Sequence, residues 1–499
     1  MKIRTLSVKL LIASIMSIIT LAFTGPIIPQ TTVIDTVVTV NTRSVVNPDL
    51  KGMGVQWSPY WPGENYDTVM SRIAYLQPQF IRCMVESYWY TKSDFEGNPW
   101  FIDGKPYYDF DSNEMKLAYW ILDYCQTNDI QVIWGDWLNN FGDLIDYDDP
   151  RWAQIIAGCL HHLINVKGYT CIRYFNYGNE PDGSWSNNKN FLSYETGVKQ
   201  LKAELDNLGV GGKVKISGPS SFYESMKWMK LSAAKLSRQM GSYDVHWYPL
   251  STDLIKGGVE KLMTKKRTLI NGLDPQGRSK DFFIGETGLF DDRDNNCDMQ
   301  PNVTKFRYGV WMADYGAQVM RAGMSGVSAW DLDDAMYGSQ CNPPDPNKKY
   351  RLWGFWNSGD ETYGGMTLRP WFYTWSLMTR LFPRGSQIVS TKHAELAGFR
   401  TVAMKKSHGP GYDLTFMIVN HSDSARTITL KVPKAGSTAT LKQFNYFDQD
   451  RPVDGQGFPV VKHTLSSVDL VNGVEVNLPP QGVIFLTTMY GGTPIPLRN

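Results

Sequence analysis

The chain of 499 residues has no low-complexity segment, no heptad repeat and no run of Lys and Arg. Its formal net charge is +1, from 50 basic and 49 acidic residues. Proteins that bind nucleic acid carry a basic patch or stripe that neutralises phosphates, so this balance argues against nucleic acid as a partner. A neutral substrate suits the charge better.

Cysteine is also scarce, with six residues, and neither paired-cysteine nor His-Glu-x-x-His spacing occurs. These absences exclude a disulfide scaffold and the common zinc motifs, and we expect neither a metal nor a cofactor. Cys297 and Cys341 lie in polar loops, and a bridge between them is expected if the loops are neighbours in an oxidising compartment. Apolar contexts predict buried thiols or incidental pairs for the other four, Cys83, Cys125, Cys159 and Cys171.

The N-terminus has the pattern of an export signal. Lys2, Arg4 and Lys9 precede the apolar stretch Leu10–Phe23, which breaker residues follow. This order predicts a signal peptide over residues 1–24, and the stretch is too short for a comfortable membrane span. We therefore expect a secreted protein, periplasmic or extracellular, without stable membrane insertion after cleavage. The alternative is an uncleaved anchor, because the cleavage site is weak.

Aromatic residues are abundant, at 13% of the chain with 17 Trp and 26 Tyr. Sugar-binding clefts use such rings because the apolar faces of pyranoses stack on them while the polar tips donate hydrogen bonds. A large barrel also needs big core residues, so most of these rings are expected in the core.

Residues 49–383 alternate short apolar strands with longer amphipathic stretches. Eight strands, each followed by a helix, predict an α/β fold, a (β/α)8 TIM barrel. The predicted strands are Gly52–Gln56, Phe80–Met84, Gln131–Trp134, Ile172–Tyr177, Val214–Ser217, Tyr243–Trp247, Phe282–Gly285 and Gly326–Trp330. The predicted helices include Asn113–Asn128, Trp152–Val166, Tyr194–Leu208, Phe222–Met240, Tyr308–Ala322 and Arg369–Leu381.

Residues 384–499 have a different sequence pattern, in which short runs of alternating apolar and polar residues are separated by turns of Gly, Pro, Asn and Asp. This pattern predicts a C-terminal antiparallel β-sandwich. Residues 30–48 also contain an alternating β segment, before the barrel begins. We expect this N-terminal strand to join the sandwich. An independent hairpin is the alternative, although a lone ribbon is marginally stable in water.

Two carboxyl groups stand at predicted strand ends. We expect Glu180 to end the fourth strand, in Asn179-Glu180-Pro181, and Glu286 to end the seventh, in Gly285-Glu286-Thr287. Residues at the C-terminal ends of TIM-barrel strands face the active site, and strands four and seven lie across the barrel from each other. Such a pair can divide acid and nucleophile roles across a glycosidic bond. A lone Asn-Glu-Pro is also typical of a helix N-terminus.

These two contexts resemble those of the clan A retaining glycoside hydrolases, TIM-barrel β-glycosidases and β-glycanases of families such as 30, 39 and 5. The tail beginning at Leu478 is similar to the sandwich appended in families 30 and 39. The resemblance implies that Glu180 is the acid/base, that Glu286 is the nucleophile, and that the substrate is a β-linked oligo- or polysaccharide. Four further positions match at strand ends: Arg82, His246, Tyr248 and Trp330.

Further sugar-binding roles follow for neighbouring residues. Arg82 would hold the charge of Glu286, and Tyr248 would donate a hydrogen bond to it. Asn179 would bind the sugar 2-hydroxyl group, with His246 beside the site and Trp330 as the floor under the sugar. Asp136 and Trp137, after the third strand, are additional candidates for sugar contacts. Structural roles in the barrel core or rim are the alternatives for Arg82, His246 and Trp330.

Two other functions fit the same residues. A transglycosylase would use the same two Glu residues, with a sugar hydroxyl group in place of water. A non-catalytic carbohydrate-binding protein on a hydrolase scaffold would have no need of both carboxylates. The identity of the sugar, its linkage, and exo or endo action do not follow from the sequence.

Overall fold

The computed structural model describes residues 35–92, 101–137, 146–183, 190–222, 225–409, 411–435, 438–490 and 495–496. The predicted signal peptide at residues 1–24 lies outside the described residues. Among the described helices, none is both long enough and apolar enough to cross a membrane.

Eight parallel strands form a closed barrel, in the order in which they follow one another along the chain. All eight predicted strands are present, so the predicted (β/α)8 barrel is confirmed. Strands are numbered along the chain, where β1 (Thr36–Leu50) precedes the barrel and β4 (Phe101–Ile102) pairs with β5 (Lys105–Pro106) outside it. The barrel strands are β2 (Gly52–Gln56), β3 (Phe80–Val85), β6 (Gln131–Asp136), β7 (Ile172–Asn176), β8 (Lys215–Phe222), β9 (Met240–Trp247), β10 (Asp281–Thr287) and β11 (Gly326–Ala329).

The described helices alternate with these strands. The predicted helix Phe222–Met240 is wrong at both ends: Phe222 still pairs with His246 in the barrel, and Met240 begins the next strand. The helix itself is capped by Ser225, whose hydroxyl accepts from the Trp228 backbone. The helices are α1 (Tyr66–Leu76), α2 (Asn113–Thr127), α3 (Pro150–His161), α4 (Phe191–Asn207), α5 (Met226–Lys235), α6 (Ser251–Ile255), α7 (Gly258–Leu273), α8 (Phe306–Arg321) and α9 (Trp371–Leu381).

The inside of the barrel is apolar at one end and polar at the other. Phe80, Ile133, Tyr174 and Phe283 form a buried cluster near the N-terminal ends of their strands. A Cβ atom at Gly54 would lie 2.6 Å from the Phe80 ring, so this strand needs glycine where the ring crosses it. The aromatic cluster closes the lower end, and polar side chains occupy the C-terminal end above it.

The second sheet contains strands from both ends of the chain. Its order is β17-β16-β19-β14-β13-β12-β1-β15-β18, with β20 paired to β14. The N-terminal strand β1 lies inside it, antiparallel to β12 and parallel to β15, which confirms the predicted contribution of that strand. These strands are β12 (Ser386–Lys392), β13 (Phe399–His408), β14 (Gly411–Asn420), β15 (Arg426–Lys431), β16 (Thr438–Tyr446), β17 (His463–Asp469), β18 (Val474–Leu478), β19 (Gly482–Thr487) and β20 (Ile495–Pro496).

The sheet closes over its own core. Side chains of β1 and β15, such as Val38 and Ile428, share one buried apolar cluster with Phe416 of β14 and Ile484 of β19. The predicted sandwich is therefore one continuous, mostly antiparallel sheet whose two halves face each other.

Helix α8 joins the barrel to this sheet. The buried carboxylate of Asp314 accepts from Arg400 Nη1 at 3.0 Å and lies 2.9 Å from His421 Nδ1. A buried carboxylate needs such partners, because an unpaired charge away from water is costly. The ion pair fixes the sheet against the outer face of the barrel.

Candidate active site

The two predicted carboxyl groups reach the same end of the barrel by different backbone routes. Glu286 lies within β10, where it is level with His246 of β9. Glu180 was expected to close its strand, but β7 ends at Asn176 and Glu180 lies in the turn beyond. Its φ angle is 47°, and its backbone N–H donates to the Ser220 carbonyl at 3.1 Å. This left-handed turn directs the Glu180 carboxyl group towards Glu286.

The side chains of Glu180 and Glu286 converge. One carboxylate oxygen from each, together with Nδ1 of His246, lie within 4.8 Å of one another. Both carboxyl groups are almost completely buried, with 7% and 6% of their residue surfaces exposed. Charges this close in a shielded site change each other's proton affinity strongly.

Glu286 is surrounded by groups that favour its ionised form. Arg82 Nη1 lies 2.5 Å from Oε1, and the Tyr248 hydroxyl donates to Oε2 at 2.9 Å. Burial acts to raise the pKa of Glu286, but the positive charges of His246 and Arg82 and the bond from Tyr248 outweigh it, so the pKa is lowered. Glu286 is therefore the ionised member of the pair.

Glu180 has the opposite shift. Burial raises its pKa, the contact with His246 opposes that rise, and the charge of Glu286 adds to it. His246 Nδ1 lies 3.0 Å from Glu180 Oε1 and 3.6 Å from Glu286 Oε2. Glu180 is therefore the member of the pair that holds a proton to higher pH.

A buried polar network holds Arg82 in place. Its Nε donates to Asn176 Oδ1 at 2.9 Å, and its Nη2 donates to Asn179 Oδ1 at 2.7 Å. Nη1 also donates to Gln56 Oε1 at 3.2 Å. Asn176 in turn donates to Asp244 Oδ2 at 3.2 Å. These bonds fix the plane of the guanidinium group that contacts Glu286.

Sequence reasoning missed three members of this network: Gln56, Asn176 and Asp244. Each is a completely buried polar residue in a barrel strand whose other residues are mostly buried. Because buried polar groups require partners, an amide or carboxylate in such a strand is the signal that would have identified them.

A cavity of about 600 Å³ opens over the two carboxyl groups. Of the predicted residues, six line it: Glu180, Glu286, Asn179, Tyr248, Trp330 and Trp137. Arg82 and His246 are completely buried and contact the two carboxyl groups from behind the cavity wall. Asp136 also lies behind the wall, where it is 1% exposed and accepts from the Tyr90 hydroxyl at 2.7 Å.

Aromatic rings form much of the cavity wall. Trp330 stacks on Tyr337, with 4.9 Å between the ring centroids, and meets Trp137 edge to face at 6.2 Å. The guanidinium carbon of Arg82 lies 5.5 Å from the centre of the Trp137 ring. The rings are thus held next to the charged centre, where an apolar sugar face can pack on them.

A cluster of charged residues borders the cavity on another side. Asp298 pairs with Arg293 at 2.6 Å and with Arg351 at 3.2 Å, and all three line the cavity. The neighbouring residue Cys297 forms a disulfide bond with Cys341, which confirms the expected bridge. The other four cysteines are buried thiols. Sequence reasoning did not place Asp298, Arg293 or Arg351 at the site.

Glu180, His246 and Glu286 also form the one group of candidate metal ligands found within the described ranges. The guanidinium of Arg82 is already paired with Glu286 there. Its fixed positive charge would repel a second cation at this distance. The arrangement suits two carboxyl groups of different proton affinity better than a metal centre.

Comparison with known proteins identifies the fold. No family model and no curated protein matches the sequence. Solved structures do match. A family 30 endoxylanase from Clostridium papyrosolvens C71 has a TM-score of 0.61 at 15% identity, over 90% of this chain and 99% of that chain. A family 51 α-L-arabinofuranosidase from Thermotoga petrophila RKU-1 has a TM-score of 0.63 at 12% identity, over 91% and 99%.

A family 39 enzyme from Xanthomonas axonopodis pv. citri has a TM-score of 0.57 at 14% identity, over 90% of this chain and 96% of that chain. The matches extend over the barrel and the second sheet together. The chain therefore has the fold of these clan A glycoside hydrolases. At identities this low, the likeness establishes the fold, and the reaction must be argued from the site.

Proposed function

We propose that the protein is a retaining glycoside hydrolase that cleaves β-linked glycosides or polysaccharides. The observation that carries the proposal is the pair of carboxyl groups within 4.8 Å whose pKa values are shifted in opposite directions. Retaining enzymes hold their two carboxyl groups about 5–5.5 Å apart, whereas inverting enzymes leave room for a water molecule between carboxyl group and sugar.

In the first step, Glu286 attacks the anomeric carbon. A bond forms between a Glu286 oxygen and that carbon while the bond to the leaving oxygen breaks. Glu180 gives its proton to the leaving oxygen, which departs as a hydroxyl group. The raised pKa of Glu180 keeps this proton available, and the lowered pKa of Glu286 keeps the nucleophile ionised.

In the second step, Glu180 accepts a proton from water, and the water oxygen displaces Glu286 from the anomeric carbon. The charge of Glu286 raises the pKa of Glu180 in the free enzyme. That charge is absent while Glu286 is bonded to the sugar, so the pKa of Glu180 falls and Glu180 can act as a base. The same contact thus suits both halves of the reaction.

The surrounding residues position and tune this pair. Arg82 and Tyr248 stabilise the Glu286 carboxylate, and His246 holds the Glu180 carboxyl group. Asn179, Trp137 and Trp330 line the cavity and would contact the sugar, Asn179 through its 2-hydroxyl group. Asp136 is not placed in contact with the sugar, because its carboxylate lies behind the wall and accepts from Tyr90, which is also buried.

Substitution of each carboxyl group tests the proposal. With aryl β-glycosides and β-linked oligosaccharides, we expect Glu286→Gln to abolish turnover. Glu180→Ala should retain cleavage of substrates with good leaving groups, and azide should restore part of its rate by attacking the glycosyl intermediate without base assistance. Glu395→Gln, at an exposed position outside the cavity, is the matched control. Normal hydrolysis by Glu286→Gln would contradict the mechanism.

We also propose that residues 1–24 are removed during export, and that the barrel at 49–383 and the sandwich at 384–499, with the segment at 30–48, form the mature protein. The disulfide between Cys297 and Cys341 supports an oxidising compartment. N-terminal sequencing of the protein recovered from culture medium or periplasm tests this, since an intact Met1 would contradict it.

A further inference from the structure

Glu86 is a third carboxyl group in the cavity that neither half of the mechanism uses. It directly follows β3, whose last residue, Val85, is level with Asp136 of β6. The Trp137 backbone N–H donates to the Val85 carbonyl at 2.9 Å, so Glu86 follows the residue that is bonded to Trp137. Glu86 lines the same cavity as Glu180 and Glu286.

The Glu86 carboxyl group is poorly satisfied by the protein. Its Oε2 atom is buried from solvent and makes no hydrogen bond within the part of the chain that the structure describes. The ion pairs of the described residues do not include Glu86, whereas Arg293 and Arg351, which line the same cavity, are both paired with Asp298. A buried polar atom without a partner is costly, and a ligand that supplies the partner recovers that cost.

The charge state of Glu86 follows from its neighbours. Burial and the charge of Asp136 raise the pKa of Glu86 to about 8. The Tyr88 phenol interacts with Glu86 and Asp136, and the Tyr90 phenol donates to Asp136. The pKa of each phenol is raised, so both stay neutral. Glu180 and Glu286 line the same cavity, and Arg82 is paired with Glu286. Near neutral pH, Glu86 is therefore a carboxylic acid that can both donate and accept a hydrogen bond.

The surroundings of Glu86 indicate what it binds. Met84, Tyr88, Trp89 and Trp137 line the cavity with it and provide apolar and aromatic surface. One polar group among rings matches a sugar ring, whose face is apolar and whose edge carries hydroxyl groups. A site built to bond a hydroxyl group rejects analogues that lack it, because its own polar atom is then left unpaired.

We propose that Glu86 is a specificity-determining residue whose carboxyl group, in its neutral form, binds a hydroxyl group of the sugar lodged between Tyr88, Trp89 and Trp137. The proposal rests on the proposed function, since it names a further substrate contact in the same cavity. If the proposal holds, substrate binding depends on the proton of the Glu86 carboxyl group, whereas bond cleavage does not.

Kinetics of Glu86→Gln and Glu86→Ala test the proposal. The probes are aryl β-glucosides and β-xylosides with the corresponding β-linked tetrasaccharides, and KM and kcat are measured separately from pH 6 to pH 9.5. We expect Glu86→Ala to lower kcat/KM by about 10- to 100-fold, mainly through KM. Glu86→Gln, which also donates and accepts, should stay within about threefold of the wild type near neutral pH.

The pH dependence separates recognition from a structural role. As Glu86 ionises, with its pKa at about 8, the wild-type KM should rise. The KM of Glu86→Gln should stay level, because an amide does not ionise. Ionisation of Glu180 affects both proteins alike, so the difference between them reports Glu86. Parallel KM profiles, or a Glu86→Ala variant with the KM of the wild type, would overturn the proposal.

The outcome is distinguishable from failure of the proposed function. If Glu286→Gln keeps its turnover, the proposed function fails whatever the Glu86 variants do. If Glu286→Gln is inactive and the Glu86 variants have an unchanged KM, only the role of Glu86 fails. Calorimetric titration of the tetrasaccharides into the Glu286→Gln protein provides the same pH comparison without turnover. If the wild type cleaves none of these substrates and the Glu286→Gln protein binds none of them, both proposals are overturned.

Discussion

Nδ1 of His246 lies 3.0 Å from Oε1 of Glu180, and the imidazole is completely buried beneath the floor of the cavity. The same nitrogen is 3.6 Å from Oε2 of Glu286. Burial acts to lower the pKa of His246, but the charge of Glu286 and the bond to Glu180 outweigh it, so the pKa is raised. In its protonated form the imidazole contacts both carboxyl groups, where it contributes to the lowered pKa of Glu286 and opposes the rise in the pKa of Glu180.

Replacing His246 should therefore move both limbs of the pH–rate profile. In the proposed mechanism, activity rises with pH as Glu286 ionises and falls as Glu180 ionises. Without the imidazolium, the pKa of each carboxyl group increases, so His246→Asn should shift the acid and alkaline limbs to higher pH and lower kcat. The measurement is kcat/KM against pH, with His463→Asn, at an exposed position in the second sheet, as the control. Unmoved limbs would contradict the role given to His246.

Arg82 should affect the acid limb in particular. Its positive charge lowers the pKa of Glu286 through a contact at 2.5 Å. In Arg82→Ala the pKa of Glu286 increases, and we expect kcat/KM at acid pH to fall by about 100-fold, since breaking a buried pair is strongly unfavourable. Arg82→Lys keeps the charge but loses the bonds to Asn176 and Asn179. Its kcat/KM at acid pH should therefore lie between the values of the wild type and Arg82→Ala. Equal profiles for Lys and Ala would show that charge at this position is irrelevant.

The contact between barrel and sheet should be measurable as stability. Asp314→Ala leaves Arg400 and His421 without their shared carboxylate in a buried interface. We expect the free energy of unfolding to fall by about 3–5 kcal/mol. The control is Lys202→Ala, which removes an exposed pair with Asp206 on helix α4 and should cost about 0.5 kcal/mol or less. Urea denaturation checks both, and similar losses for the two variants would refute the interface role.

Glu86 should make stability depend on pH even without a substrate. The pKa of Glu86 in the folded protein, about 8, is raised above its usual value. At pH values between the unfolded-state and folded-state pKa, the folded protein therefore keeps a proton that the unfolded chain releases. Wild-type stability should therefore decline as pH rises from about 5 to about 8. Glu86→Gln removes this decline, and its free energy of unfolding should exceed that of the wild type by roughly 1–3 kcal/mol near pH 8. Denaturation curves at several pH values test the sign, because identical slopes would contradict it.

Much of the fold was accessible from local sequence patterns. The barrel strands are short apolar runs between longer helical stretches, and these runs appear at the predicted positions with shifted ends. The ends shifted because periodicity cannot decide where a strand stops: β8 continues to Phe222 because that residue pairs with His246 of the next strand. The helix that follows is shorter than predicted for the same reason.

The site was predictable only in part. Glu180, Glu286, Asn179, Tyr248 and Trp330 are brought together because each lies at or just beyond the C-terminal end of a barrel strand. Asp136 shares that position but lies behind the cavity wall. Glu86 lies one residue beyond β3 and was overlooked, because nothing in its local sequence shows that its carboxyl oxygen is buried without a partner.

The sequence by itself determined the order of strands and helices, the change to alternating strands near residue 384, and the carboxyl groups at one end of the barrel. Apolar periodicity and turn residues act over a few neighbours along the chain, so they can be read locally. Only the tertiary structure decided which carboxyl group ionises first. That difference depends on Arg82 from β3 and His246 from β9, which change the pKa values of the carboxyl groups electrostatically. Closure of the barrel brings these residues within contact distance of Glu286 and Glu180.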